Sequence, residues 1–150
     1  MHEFIVQEII NASVPQVWKA LADIGNIYQW NPGVKKSHIT NDTIGLGGSR
    51  HCDLGGKNYL DEDVVKWEEN KYLTMRITET NMPFKNADIN FSLEATDNGT
   101  QVSVQPVYEL KFGPIGRFMN FVYVHGFYQK GMKSLLAGLK NHVEHQATAS

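Results

Sequence analysis

The stretch "NADINFSLEATDNGTQVSVQPVYELKF", residues 86–112, constrains the fold of this chain most. Ala87, Ile89, Phe91 and Leu93 alternate with Asp88, Asn90, Ser92 and Glu94. That is the period of a strand with one apolar and one polar face. Asn98-Gly99 then supplies the positive φ angles of a tight hairpin turn. Val102, Val104, Tyr108 and Leu110 resume the apolar face on the return strand. Pro106 has no N–H to give a ladder, so an edge or a bulge is expected there. A sheet built from such a hairpin is antiparallel and must be covered on one side only.

The cover has to come from the C-terminal part of the chain. From Gly113-Pro114 onward the period becomes helical. Phe118, Phe121, Val122, His125, Gln129, Met132, Leu136, Leu139 and Val143 form one stripe. Some thirty residues make a helix about 45 Å long. Gly126, Gly131 and Gly138 fall inside it, each unfavourable by ~1 kcal/mol against Ala. They either let the helix bend or let other backbone approach closely.

The rest of the chain supplies more strands. "HEFIVQEII" reads as a first strand. Ser13 is a helix N-cap with Pro15 in the first turn, Val17, Leu21 and Ile24 recur on one face, and Gly25 stops this helix. "NIYQWNPG" is a second short helix. "VKKSHITN", "SRHCDL", "YLDEDVVKWEE" and "KYLTMRITET" alternate as strands do, with a turn at Asn70-Lys71. The expected fold is α+β: a curved antiparallel sheet of about seven strands wrapped around a long C-terminal helix, with two short helices after the first strand. Residues 1–145 form one domain and 146–150 a flexible tail.

Bulk properties narrow the function classes. The chain has 150 residues, enough for one core, and a net charge of −2 with no basic block, which argues against nucleic acid as a partner. No apolar run approaches the ~20 residues of a membrane span, so no membrane insertion is expected. "MHEFIVQEIINAS" lacks the pattern of a signal peptide. Cys52 is the sole cysteine, which suits a reducing, cytoplasmic setting. The N-x-[ST] triplets at Asn11, Asn41 and Asn98 then read as turn and capping residues.

Four segments, "NASVPQVWKALADIGNIYQWNPGV", "GLGGSRHCDL", "YLDEDVVKWEENKYLTMRI" and the terminal "GLKNHVE", carry a resemblance. The chain resembles the START-like, or Bet v 1-like, helix-grip superfamily, often labelled SRPBCC or polyketide cyclase/dehydrase. The resemblance covers nearly the whole chain. It implies a hydrophobic cavity between the sheet and the long helix. Its members include lipid and hormone binders, aromatic polyketide cyclases and co-chaperone-like modules, and fold alone does not choose among them.

The glycine-rich stretch "GLGGSRHCDLGG", Gly45 to Gly56, invites three readings. A phosphate cradle needs its glycines between a strand and a helix N-terminus, with a Lys following, and this one lacks both. A metal site is offered by His51, Cys52 and Asp53, but adjacent strand residues point to opposite faces and no spacing fits structural zinc. No metal and no cofactor are expected. The third reading is a cavity wall. If Cys52 faces inward, Arg50 does too, and Glu62 and Val64 share a face on the next strand. A hairpin between Leu54 and Tyr59 brings Arg50 and Glu62 together. Paired charges are tolerable in a wet or ligand-filled cavity and costly in a dry core. In the opposite phase both are surface charges.

Further candidates for the ligand wall are Trp30, Met75, Ile77, Ile89, Phe91, Val104, Tyr108, Phe121 and His125. Trp30 reads equally as a lid or a core anchor. Tyr108 needs a partner for its hydroxyl when buried. His125, whose type titrates near neutrality, is either a general base or a satisfied core residue. "MPFK", Met82 to Lys85, is a lip with exposed apolar residues. The aromatic start of the last helix cannot all face one sheet, so part of it lines the cavity opening or a partner surface, including that of a possible homodimer.

Three functions are compatible with these features. The first is binding or transport of a small hydrophobic, lipid-like or polyketide-like molecule. The second is a cyclase or dehydratase using His125, Tyr108, Glu62 and Arg50 as acid/base groups. The third is a co-chaperone-like interaction module, which a filled interior would favour.

Overall fold

A computed structural model describes residues 1–149. The chain forms β1 (His2–Glu3), β2 (Val6–Ile10), α1 (Val14–Ala22) and a 3-10 helix (Ile24–Gln29). Then come β3 (Lys36–Ile39), β4 (Ser49–Gly55), β5 (Asn58–Glu68), β6 (Tyr72–Thr80), β7 (Phe84–Thr96) and β8 (Gly99–Leu110). A long helix closes the chain in three parts: α2 (Gly113–Met119), a π-helical segment (Asn120–Val124) and α3 (His125–Ala149).

The strands make one antiparallel sheet in the order β1-β8-β7-β6-β5-β4-β3, with β2 also on β8. The first expected strand is thus two. His2 and Glu3 pair with Tyr108 and Val107, and pairing resumes at Val6 with Val104. The gap, Phe4–Ile5, lies opposite Gln105 and Pro106. The proline without an N–H therefore sits where its neighbour strand is interrupted. Phe4 uses the break to turn inward, packing edge-on against His125, Tyr108 and Tyr128. β8 alternates half-buried and buried along its whole length, and its buried set includes Val102, Val104, Tyr108 and Leu110. At the β7–β8 hairpin Gly99 alone takes positive φ, at 141°, and Asn98 does not. Bulges in β5 and at the β4 and β7 ends bend the sheet around the helix.

α1 begins as its sequence requires. Ser13 Oγ accepts from Gln16 N, and Gln16 Oε1 accepts from Ser13 N at 2.9 Å, a reciprocal capping box. It buries Val17, Trp18 and Leu21. It ends at Ala22, before Gly25, which lies inside the 3-10 helix and does not act as the stop. Among the described residues no helix is long and apolar enough to cross a membrane.

The long helix departs from the expected stripe in its first half. Leu135, Leu136, Leu139 and Val143 face the core. An uninterrupted α-helix would carry that face back through His125, Phe121 and Phe118. The π segment inserts one extra residue, and the inward face moves back by one. Asn120 and Gly116 now point in, whereas Phe118 and Phe121 are 66% and 86% exposed. His125, beyond the segment, stays half-buried against Phe4. At the other end α3 runs through Ala149, into the segment expected as a tail; Ser150 lies outside the described residues. No glycine or proline follows Gly138 to stop the helix, and Ala147 packs against the core.

Candidate functional site

The sheet and the helix do not close on each other everywhere. Between β4–β7 and the helix around residues 123–135 lies a cavity of about 440 Å³. Ile27, Asn31 and Val34, just after α1, bound one side, and the Met82–Phe84 lip bounds another. Val124, Tyr128, Met132 and Leu135 form the helical wall.

β4 and β5 place the polar feature of this wall. Gly55 and Gly56, at φ 96° and 61°, turn the chain between them. The resulting register sets Arg50 directly opposite Glu62 and Cys52 opposite Leu60. Arg50 Nε donates to Glu62 Oε1 at 3.0 Å, and Arg50 Nη1 donates to the Ile24 carbonyl at 3.1 Å. Arg50 and Glu62 are only 5% and 2% exposed. The second Glu62 oxygen, Oε2, is buried with no hydrogen-bond partner among the described residues. Such an atom is unfavourable by ~1–3 kcal/mol unless something satisfies it.

The other polar atoms here are held uncharged. Burial pushes the Cys52 thiol up to about 12, with the nearby Arg50 opposing the shift. Its Sγ lies 3.9 Å from Glu62 Oε1. A thiol so protonated is no nucleophile at neutral pH. Burial raises the Tyr128 phenol strongly, with smaller contributions from Glu62 and Tyr108. The Tyr108 phenol is raised by burial too, and its hydroxyl is bonded to Asn120, the residue the π segment turns inward.

The residues expected on the ligand wall divide into three groups. Arg50, Cys52, Glu62, Ile77, Ile89 and Phe91 line the cavity. Trp30, Val64, Met75, Val104 and Tyr108 are buried in the packed core beside it. Trp30 is therefore a core anchor and no lid: its carbonyl lies against Gly138 of α3. Val64, Met75 and Val104 sit where the sheet is already covered. His125 lies outside the cavity lining, edge-on to Phe4 with ring centres 5.3 Å apart. Phe121 points to solvent. The extra residue of the π segment turns Phe121 out, whereas His125, the first residue of α3, keeps the inward phase and packs on Phe4 outside the cavity.

Sequence reasoning missed Tyr128, Val124 and Tyr123. Tyr128 and Val124 stand four and eight residues before Met132, so i, i+4 spacing could have found them. Leu54 and Leu60 were within reach, since they share the face of Cys52 and Glu62 by period two. The glycine-rich stretch holds no cradle: Gly45–Gly48 is a turn entering β4, with Gly48 N on Gly45 O at 2.9 Å. His51 is on the outer face, its Nδ1 on Asp61 and its Nε2 3.0 Å from Asp53. Those two carboxylates, Asp61 first, raise its pKa. Among the described residues no three His, Cys, Asp or Glu side chains converge to hold a metal ion.

Solved structures share this architecture. A Thermus thermophilus protein superposes with a TM-score of 0.81 at 20% identity, over 99% of this chain and 100% of its own. A START superfamily protein from Mycobacterium smegmatis gives 0.80 at 18% identity, over 97% and 99%. The Zhui aromatase/cyclase from Streptomyces gives 0.84 at 13% identity, over 97% and 95%. At these identities the likeness establishes the fold alone. No curated protein sequence matches the chain. The family model for polyketide cyclase / dehydrase and lipid transport matches residues 1–144, nearly the whole length that builds the sheet, the cavity and the long helix, and the chain belongs to that family.

Proposed function

We propose that this protein binds, and carries, a small and mainly apolar molecule with one polar group. The observation that carries this reading is the cavity of about 440 Å³ with a paired Arg50 and Glu62 on its apolar wall. Its size lies within the ~300–1,000 Å³ of small-molecule sites, which combine apolar linings with a few placed polar groups. An acidic or carbonyl oxygen of the ligand would meet Arg50, with Glu62 holding the guanidinium in place. A lipid-like or polyketide-like body would fill the space between Phe91, Ile89 and Met132. An open interior supports a ligand carrier over an interaction module. The family description, which includes both cyclases and lipid transport, fits the same reading.

Catalysis has less support. Of the four acid/base candidates, His125 and Tyr108 do not line the cavity. The remaining pair, Arg50 and Glu62, is already engaged with itself.

Native mass spectrometry of gently purified protein tests the proposal. The expected result is a retained small molecule, released by organic solvent, and uptake of an apolar fluorescent probe once it is gone. Protein that retains nothing and takes up no such probe would overturn the reading.

A further inference from the structure

The outer face of the first half of the long helix is apolar in a way that the cavity does not use. Phe112, Ile115, Phe118, Phe121, Tyr123 and Phe127 are 65%, 67%, 66%, 86%, 62% and 75% exposed. Single exposed apolar side chains need no explanation, but six within sixteen residues form a patch that does. The patch is continuous with the cavity mouth, because Tyr123 and Phe127 belong to both.

Charge distinguishes the possible occupants. Between Glu109 and Glu144 the chain has no acidic residue, although its net charge is −2. Lys111, Arg117, Lys130 and Lys133 lie in that interval, are exposed, and make no ion pair among the described residues. Tyr123, Phe127 and Lys130 follow one another at helical spacing, so aromatics and cations share a face. A second copy docked patch to patch would bring cation against cation. An aromatic helix face collared by lysines and arginine suits the boundary of a lipid bilayer with anionic headgroups.

We propose that this face docks onto an anionic lipid surface and presents the cavity mouth to the bilayer. The docking is a property of the outer face and goes beyond the cavity's ligand; ligand-free protein carries it. Phe121 and Phe118 enter the acyl boundary, and Lys130 and Lys133 meet headgroup phosphates or carboxylates. The π segment is what makes this possible, since it turns Phe121 outward while keeping Asn120 on Tyr108.

Co-sedimentation of the full chain with vesicles tests the proposal. The protein is expected to bind phosphatidylcholine vesicles containing phosphatidylserine, and to bind pure phosphatidylcholine weakly. F118S/F121S weakens binding at least about tenfold through lost apolar contact. K130E/K133E weakens it at least about tenfold through lost charge attraction. Both variants keep the wild-type circular dichroism spectrum and thermal midpoint, because the replaced side chains are exposed. Absence of vesicle binding overturns the proposal, as does equal binding to both vesicle types that the charge variant leaves unchanged. A concentration-dependent dimer that F118S/F121S dissolves, without vesicle binding, overturns it in favour of self-association.

Discussion

Arg50 and Glu62 stand directly opposite each other on β4 and β5, joined Nε to Oε1 at 3.0 Å on the wall of an apolar cavity. The pair is an electrostatic unit. Removing one member strands the other charge away from water, which destabilises by ~3–5 kcal/mol, whereas replacing both with apolar residues of similar volume is often neutral. Arg50→Met and Glu62→Leu should each lower the unfolding free energy measured by urea titration by that order. The double variant should recover most of the loss and still fail to retain a ligand with a polar group. A double variant as unstable as the sum of the singles would mean that the two charges do not act as a pair.

The helix phase gives a second prediction. The π segment carries one residue more than an α-helix needs, and Phe121 and Val122 are exposed within it. Deleting Val122 should relax the segment to α-helix and keep Asn120 facing Tyr108, for less than about 1 kcal/mol of stability. Deleting Lys133, in the regular part, rotates everything before it by about 100° and should unfold the protein or nearly so. Thermal melts of the two deletions check this. Equal damage from both would count against the π segment as a tolerated insertion.

That same residue marks where the sequence was legible and where it was not. The strands of β7 and β8 could be read from alternation, because a half-covered sheet imposes period two on every residue. The β4–β5 hairpin could be read as bringing Arg50 and Glu62 close, but not which face they show or that they stand directly opposite. A bulge between Asp53 and Gly55 shifts the register by one, and alternation does not fix phase. Phe121 could not be placed, since periodicity extrapolates an unbroken helix and has no signal for one inserted residue. His125 could be placed on the inward stripe, but periodicity does not say where along that stripe the cavity ends. Nor could Val64, Met75 and Val104 be told apart from Ile77, Ile89 and Phe91. All six are apolar strand residues facing inward, and only the path of the helix over the sheet decides which meet empty space.

His51, on the outer face, makes stability depend on pH. Asp61 and then Asp53 raise its pKa in the folded chain above the ~6.5 of an unfolded histidine. The folded state thus binds the proton more tightly. The stability His51 contributes is present in full below pH ~6.5 and is lost as pH rises through the folded-state value. The difference in unfolding free energy between the wild type and His51→Gln should therefore be larger in mild acid than at alkaline pH. Urea titrations at the two pH values measure it. A difference independent of pH would show that the carboxylates do not hold the charged imidazole.

The three glycines of the long helix look alike in sequence and should respond with opposite signs. An added Cβ at Gly126 meets nothing within 4 Å, whereas at Gly138 it would stand 1.9 Å from the Trp30 carbonyl oxygen. Gly126→Ala therefore removes only the flexibility of the unfolded chain and should stabilise by up to ~1 kcal/mol. Gly138→Ala must push α3 off the segment carrying Trp30 and Pro32, and should destabilise by ~3 kcal/mol or more. Gly131 also has open space around it but lies on the cavity wall. Gly131→Ala should stabilise like Gly126→Ala while narrowing the cavity, so gain in melting temperature and loss of ligand uptake should appear together there and separately at Gly126. Melts and probe binding of the three single variants decide it. If Gly138→Ala were as stable as Gly126→Ala, the close seat of α3 against Trp30 would be wrong.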